Sequence, residues 1–304
     1  MKKLTLALIL ALTVAGSAVA HNGKTNFMPT WPDPTSFVLD GEEDDWGWYD
    51  TESFGVKPEG IESSNGEHAG QGPNPNPEDF SASFFVAWSP PPDNSLYFFA
   101  RVQDDTLRAV EGKDAWWNDD YLQLQIDIDH SAGNYLSEFE NGYRIGFHPL
   151  GSNTEGGDCP PFSEEEGPVA WGGSAPYTWV RTTILPGDAV TWATNVEYSY
   201  EVRTHPWATY SKTGPDESTP WVLAPEQIVH FNARFDDGDR EANGEQDLWS
   251  PVGDSFECDR EGEHCPDYLL VPTEMADPYV SWEDDPSTAV EHATWARIKS
   301  HIMR

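Results

Sequence analysis

WWNDDYLQLQIDIDH, residues 116–130, alternates without a break once past its two indoles. Leu122, Leu124, Ile126 and Ile128 fall on one side of an extended chain, and Tyr121, Gln123, Gln125, Asp127 and Asp129 fall on the other. A period of two belongs to a strand, whose successive side chains point to opposite faces. The apolar side is core and the polar side faces out of a sheet. Trp116 and Trp117 stand ahead of the strand as further core or as a flat platform for a ligand; Trp116 reads as packing.

The same pattern recurs along the chain. FSASFFVAW (80–88) places Phe80, Ala82, Phe84, Val86 and Trp88 on one face. SPPPDN (89–94) then enforces a turn, since proline presets its own φ and cannot donate to a sheet ladder. Further strands are expected over 96–104, 143–147, 196–203 and 228–235, with ATWARIKSHI (293–302) closing the chain. Helix-period stretches are scarce. The fold class expected is all-β, an antiparallel β-sandwich of immunoglobulin or jelly-roll type. Long loop insertions are expected at roughly 51–79, 150–178, 205–225 and 250–281, where Pro, Gly and acidic residues cluster. No internal repeat or interdomain linker is visible, so residues 21–304 read as a single domain.

Residues 1–20 read as a secretory signal peptide. Lys2 and Lys3 precede an apolar run, and Ala18-Val19-Ala20 supplies a small-residue cleavage site. The mature chain would begin at His21 and be secreted or periplasmic. The formal net charge of the 304-residue chain is −36. Such an acidic chain repels phosphate backbones and anionic lipid, which argues against nucleic acid as a partner and against membrane insertion.

An exported chain can form disulfides, and Cys258 with Cys265 would close a short loop, leaving Cys159 over. Cys258, His264 and Cys265 could alternatively be metal ligands, though a fourth at sensible spacing is missing. DDGDREANGEQD (236–247) is dense in oxygen ligands and turn formers. Asp236, Asp237, Asp239 and Asp247 are therefore candidate Ca²⁺ ligands, although the glycine and terminal Glu do not follow the EF-hand pattern. A mature N-terminal His21 could chelate copper through its amine and ring with a second histidine such as His68, His148 or His230. No organic cofactor is expected.

Several short stretches, in order, resemble the family 9 carbohydrate-binding modules and their wider relatives. LDGEEDDWGW (39–48) is similar to their opening I-D-G-x-x-D-x-x-W, and VAWSPPPDNSLYFFARVQDD (86–105) to a strand pair with a D-x-x-L-Y turn. WNDDYLQLQIDID (117–129), NGYRIGF (141–147), HFNARFDDGD (230–239) and SWEDDPS (281–287) resemble four later motifs. The resemblance implies a β-sandwich that holds sugar between two indoles, with structural calcium nearby. Carried over by position, the indoles are Trp117 and Trp282, and Arg144 matches the binding arginine. Gln123 stands where the family has an acidic sugar ligand and Arg234 where it has an amide, so the hydroxyl-binding pattern is altered. Asp120 matches a structural position near a cation.

Sugar chemistry supports the same reading. Pyranose faces present C–H groups that flat indoles cover, and their hydroxyls need planar bidentate partners such as Arg, Gln and carboxylates. The expected function is a secreted, non-catalytic binder of a polysaccharide or oligosaccharide. The alternatives are a polysaccharide-active enzyme, for which no carboxylate pair stands out, and a haem or copper redox protein. For haem, Met28 and Met275 are available but C-x-x-C-H is absent.

Overall fold

Phe84 and Phe80 meet Phe235 with ring centroids 6.3 and 6.0 Å apart, and Phe98 meets Phe231 at 6.1 Å. These contacts join two sheets face to face. The computed structural model describes residues 25–63, 77–110, 119–130, 142–150, 162–163, 167–168, 171–211, 213–240, 245–251, 258 and 264–272. In chain order the strands are β1 (Thr25–Pro29), β2 (Glu62–Ser63), β3 (Phe80–Trp88), β4 (Leu96–Thr106), β5 (Tyr121–Asp127), β6 (Tyr143–Phe147), β7 (Phe162–Ser163) and β8 (Gly167–Pro168). They continue as β9 (Thr178–Leu185), β10 (Thr194–Thr204), β11 (Trp207–Thr209), β12 (Thr219–Pro220), β13 (Ile228–Arg240), β14 (Glu245–Ser250) and β15 (Asp267–Val271).

One sheet runs β3-β4-β10-β9, antiparallel throughout. The other is built around β13, which pairs with β5 along one edge and with β15 and β14 along the other; β6, β1 and β2 extend it. The chain is thus an all-β sandwich, antiparallel except where β1 lies parallel to β15. Alternate residues of β3, β4, β5, β10 and β13 fill the space between the sheets, from Phe80 to Trp88, Leu122 to Ile128 and Val229 to Phe235. Each large apolar side chain so buried contributes about 1.5–3 kcal/mol, which favours one register over its neighbours.

The outer face of the β3-β4-β10-β9 sheet is covered as well. Phe85, Ala87, Tyr97 and Phe99 point away from the main core and meet Trp31, Trp46 and Tyr49. Trp31 packs edge-on against Trp46 at 4.7 Å. Glu201 of β10 anchors this layer by accepting hydrogen bonds from the backbone N–H of Asp40 and Gly41 (2.9 and 2.8 Å) and from the Trp46 indole (3.2 Å). Gly41 has φ +84°, and a Cβ there would lie 2.9 Å from the Thr183 methyl. The LDGEEDDWGW stretch is therefore a strap, with glycine at its close approach to the sheet. At the β3–β4 turn, Asp93 accepts from Ser89, Tyr97 and Arg203, which accounts for the DNSLY sequence.

The sequence placed the ends of β13 and the 205–225 segment differently. β13 runs on through Asp236–Arg240, and part of the segment expected as plain loop is a two-stranded ribbon of β11 and β12. The strand expected at 293–302 lies outside the described residues. Among the described residues no helix is long and apolar enough to cross a membrane.

Burial pushes the Glu201 carboxyl up to about 8, against the pull of its three donors. A carboxyl whose folded pKa is raised favours the fold while protonated. That contribution is present below the ordinary value of 4.5 and is lost as pH rises through about 8. Glu201→Gln is expected to flatten the fall in thermal midpoint across this window, whatever constant offset it introduces; an unchanged pH profile in thermal melts would refute the assignment.

Candidate functional site

Strand alternation that sends Leu122, Leu124 and Ile126 inward sends Tyr121, Gln123, Gln125 and Asp127 to the outer face of the β13 sheet. The register sets Gln123 beside Arg234, Gln125 beside Asn232 and Asp127 beside His230 on β13. On the other side, β6 brings Arg144 opposite Gln125 and Gly146 opposite Gln123. The side chains then bond across the strands. Arg234 Nε donates to Asp236 Oδ1 (2.7 Å), Gln123 Nε2 donates to Asp236 Oδ2 (3.1 Å), and Arg144 Nη1 donates to Gln123 Oε1 (3.4 Å). Asn232 Nδ2 donates to Gln125 Oε1 at 2.6 Å. Gly146 leaves room for the Tyr121 ring, whose hydroxyl would sit 2.1 Å from a Cβ at that position.

This polar face is covered rather than open. Gln123, Arg144 and Arg234, the three expected hydroxyl-binding residues, are 0–3 % exposed. A sugar would reach them only by replacing protein partners. Cys258 and Cys265 form a disulfide, and Cys258 Sγ lies 3.2 Å from Gln125 Oε1, so the disulfide contributes to the cover. Trp117, Trp282 and His21 lie outside the described residues, as do Cys159 and Trp116.

Where each row of core-facing residues ends, the chemistry changes to carboxylates. Asp104 follows Val102 on β4, Asp120 precedes Leu122, and Asp237 follows Phe235; all three are buried. Asp120 accepts from the backbone N–H of Arg108 (2.6 Å) and Gly238 (2.9 Å). Burial and the charges of Asp104 and Asp237 push its carboxyl well above the usual range, and burial raises Asp104 to about 6. Within the stretch expected to bind calcium, β13 through Arg240 pairs antiparallel with β14 from Glu245, with a bulge between Asp237 and Arg240. Asp236 and Asp237, as neighbours on a strand, diverge: the first joins Gln123 and Arg234 outside, the second joins Asp120 inside. The side chains of Asp239 and Asp247 lie outside the described residues.

Beyond these carboxylates, Asp119 accepts from the Val110 N–H (2.9 Å) and faces Arg108 and His148 at 3.7 and 3.9 Å. The Arg108 guanidinium lies 5.8 Å from the centre of the Trp192 ring. Trp192 is 41 % exposed, the one exposed aromatic ring among the residues whose side chains are described. Sequence reasoning did not single it out, and its setting in TWATN offers no signal that would have.

At the opposite end of β5, His230 sits in register between Asp127 of β5 and Asp267 of β15. Its Nδ1 is 3.2 Å from Asp127 Oδ2 and its Nε2 is 3.0 Å from Asp267 Oδ1. His130, turned by a left-handed φ of +56°, brings its own Nε2 to 3.0 Å from the same Asp267 oxygen. Burial opposes charge on His230, but the two carboxylates outweigh it and push its pKa up to about 9. Asp267 is buried too, yet the two imidazoles hold it well below the usual range. Of this group the sequence marked Asp127 as an outward residue of its strand and His230 as a possible copper ligand, and singled out neither His130 nor Asp267.

No family model matches the sequence, and no curated protein matches it. Among solved structures the chain is similar to a carbohydrate binding module family 9 from Caldicellulosiruptor kristjanssonii in complex with cellotriose. That likeness has a TM-score of 0.51 at 15 % identity and covers 82 % of this chain and 94 % of that one. The same module in complex with glucose gives TM-score 0.51 and 15 % identity, with 82 % of this chain and 96 % of that one covered. The chain has a family 9 module fold. At this identity the likeness speaks for the arrangement of strands, and the site must be argued from the residues of this chain.

Arg234 supplies positive charge to buried Asp236. Removing one partner of a buried ion pair strands the other without compensation. Arg234→Ala is therefore expected to cost about 3–5 kcal/mol in chemical denaturation, and a cost below about 1 kcal/mol would place Asp236 in contact with water.

Proposed function

We propose that this protein is an exported, non-catalytic carbohydrate-binding protein that holds a glycan end or short oligosaccharide between Trp117 and Trp282. The observation that carries this reading is the outer face of the β13 sheet. In a family 9 module fold it presents a floor of planar amides and guanidinium groups, Gln123, Gln125, Asn232, Arg144 and Arg234. Such groups match paired sugar hydroxyls in geometry. Since they lie below the surface, the indoles make the first contact and the floor takes hydroxyls by exchanging bonds now made within the protein. Relatives in fold have been seen with cellotriose and with glucose, which makes β-glucans the first ligands to try. Trp192, exposed above Arg108, is a third candidate platform.

Trp117→Ala and Trp282→Ala should each weaken binding to cello-oligosaccharides, or to whichever glycan a panel identifies, by at least about 30-fold. That is the ~2 kcal/mol of a hot-spot aromatic. Their thermal midpoints should stay close to the parent's. Loss of fold in either variant would make that indole core, and full affinity in both would remove the site.

Calcium, which the resemblance implies, fits Asp104, Asp120 and Asp237. Asp120 is held well above the usual range by burial and by the charges of Asp104 and Asp237 beside it, and buried carboxylate oxygens are ligands suited to a hard cation. Bound there, the ion would brace the β4, β5 and β13 ends by offsetting their charge. Calcium should raise the thermal midpoint at neutral pH, EGTA should reverse this, and Asp104→Asn should abolish the response; an unchanged calcium response in that variant would move the ion elsewhere.

A further inference from the structure

The cluster at the far end of β5 has no place in sugar binding or in the calcium reading. Its three strands supply Asp127, His230 and Asp267 in one lateral row, and His130 follows β5 by a short turn. The rings of His130 and His230 lie 4.1 Å apart, and one nitrogen from each converges on Asp267 Oδ1 at 3.0 Å. All three donor atoms lie within 4.8 Å of one another.

Imidazole tautomerism makes this arrangement informative. A neutral ring has one N–H and one lone pair. His230 faces a carboxylate at each nitrogen, so a neutral ring can satisfy only one of them. A proton on each nitrogen satisfies both, and a metal ion at Nε2 would take the place of the second proton while Nδ1–H stays on Asp127. A carboxylate behind one imidazole nitrogen and a metal ion on the other is the arrangement in which histidine binds zinc with its ring fixed from behind. In a tetrahedral site with bonds of about 2.0–2.1 Å, neighbouring ligand atoms are about 3.3 Å apart. The two 3.0 Å separations need to open by a few tenths of an ångström, and the pair of imidazole nitrogens, within 4.8 Å of each other, needs to draw together to the same spacing.

We propose that His130 Nε2, His230 Nε2 and a carboxylate oxygen of Asp267 bind one divalent transition-metal ion of the zinc type, with Asp127 fixing the His230 tautomer. Two imidazoles and one carboxylate suit a borderline ion, whereas calcium takes oxygen ligands. The charges of Asp127 and Asp267 balance that of the dication. His130 forms the partly exposed rim, its side chain 22 % accessible against 0 % for His230. The ion enters from that side, and water completes its coordination there.

Isothermal titration of the metal-stripped full-length mature protein with zinc chloride tests this. One equivalent is expected in the parent, with affinity at least tenfold weaker in His130→Ala and in Asp267→Asn. His130 is partly exposed, so its variant should keep the parental circular dichroism; His130→Gln replaces it if the alanine variant unfolds. Cobalt(II) should give the intense visible bands of a four-coordinate ion in the parent and lose them in the His130 variant. Excess calcium should leave zinc in place. Absence of saturable zinc binding would show the cluster to be held by protons alone, and equal affinity in both variants, or displacement by calcium, would equally overturn the assignment. Glycan binding is not the readout, so this proposal and the sugar reading fail independently.

Discussion

Register along β13 is the constraint on which the remaining structure depends. This strand is bordered by β5 on one edge and by β15 and β14 on the other, and its residues alternate between two chemistries. Val229, Phe231, Ala233 and Phe235 face the core; His230, Asn232, Arg234 and Asp236 face away. A slip by one residue would turn an imidazole, an amide, a guanidinium and a carboxylate toward the core and would send Phe231 and Phe235 to the polar side. Burial of the phenylalanines fixes the register, and the register then brings Gln123, Arg234 and the Asp127–His230–Asp267 row together. Core and candidate sites are two faces of the same alternation.

Neither outer face of this sandwich is left bare. One carries an aromatic layer held down by Glu201, the other a buried polar network against the Cys258–Cys265 disulfide. The two covers differ in energetic character. Aromatic packing contributes through area removed from water, while the polar network roughly offsets its own desolvation and contributes orientation more than stability. A rigid array of amides and guanidinium groups is what a specific hydroxyl-binding floor needs, and side chains free in water would not provide it.

Much of this was legible from the residues. The alternation over 121–128 gave β5 and its inward face, and the spacing of Cys258 and Cys265 gave a disulfide loop. The ordered motifs gave the sandwich. What remained hidden depends on contacts distant in sequence. DDGD reads as a turn because Asp and Gly favour turns locally, yet pairing with β14 and the bond from Gly238 N–H to Asp120 keep it extended. Asp104 meets Asp120 and Asp237 only because the two sheets pack face to face, and sheet register alone sets Asp127, His230 and Asp267 in a row. Fourteen tryptophans look alike in the sequence. The fold puts Trp31, Trp46 and Trp88 out of water and leaves Trp192 in it, a distinction that local pattern does not encode.

The parallel pairing of β1 with β15 bears on when the molecule can form. Thr25 through Pro29 lie beside Asp267 through Val271, Thr30 Oγ1 donates to the Val271 carbonyl across 241 residues, and the Trp88 indole donates to the same carbonyl. A chain that emerges from the ribosome N-terminus first can join the end of β1 to Trp88 of β3 early, but β15, the strand β1 pairs with along its length, arrives only when almost all of it has been delivered. Closing so long a loop is slow, since its entropy is lost before the contact rewards it. Pairing of β1 with β15 therefore belongs late in folding, and with it this edge of the sheet is closed.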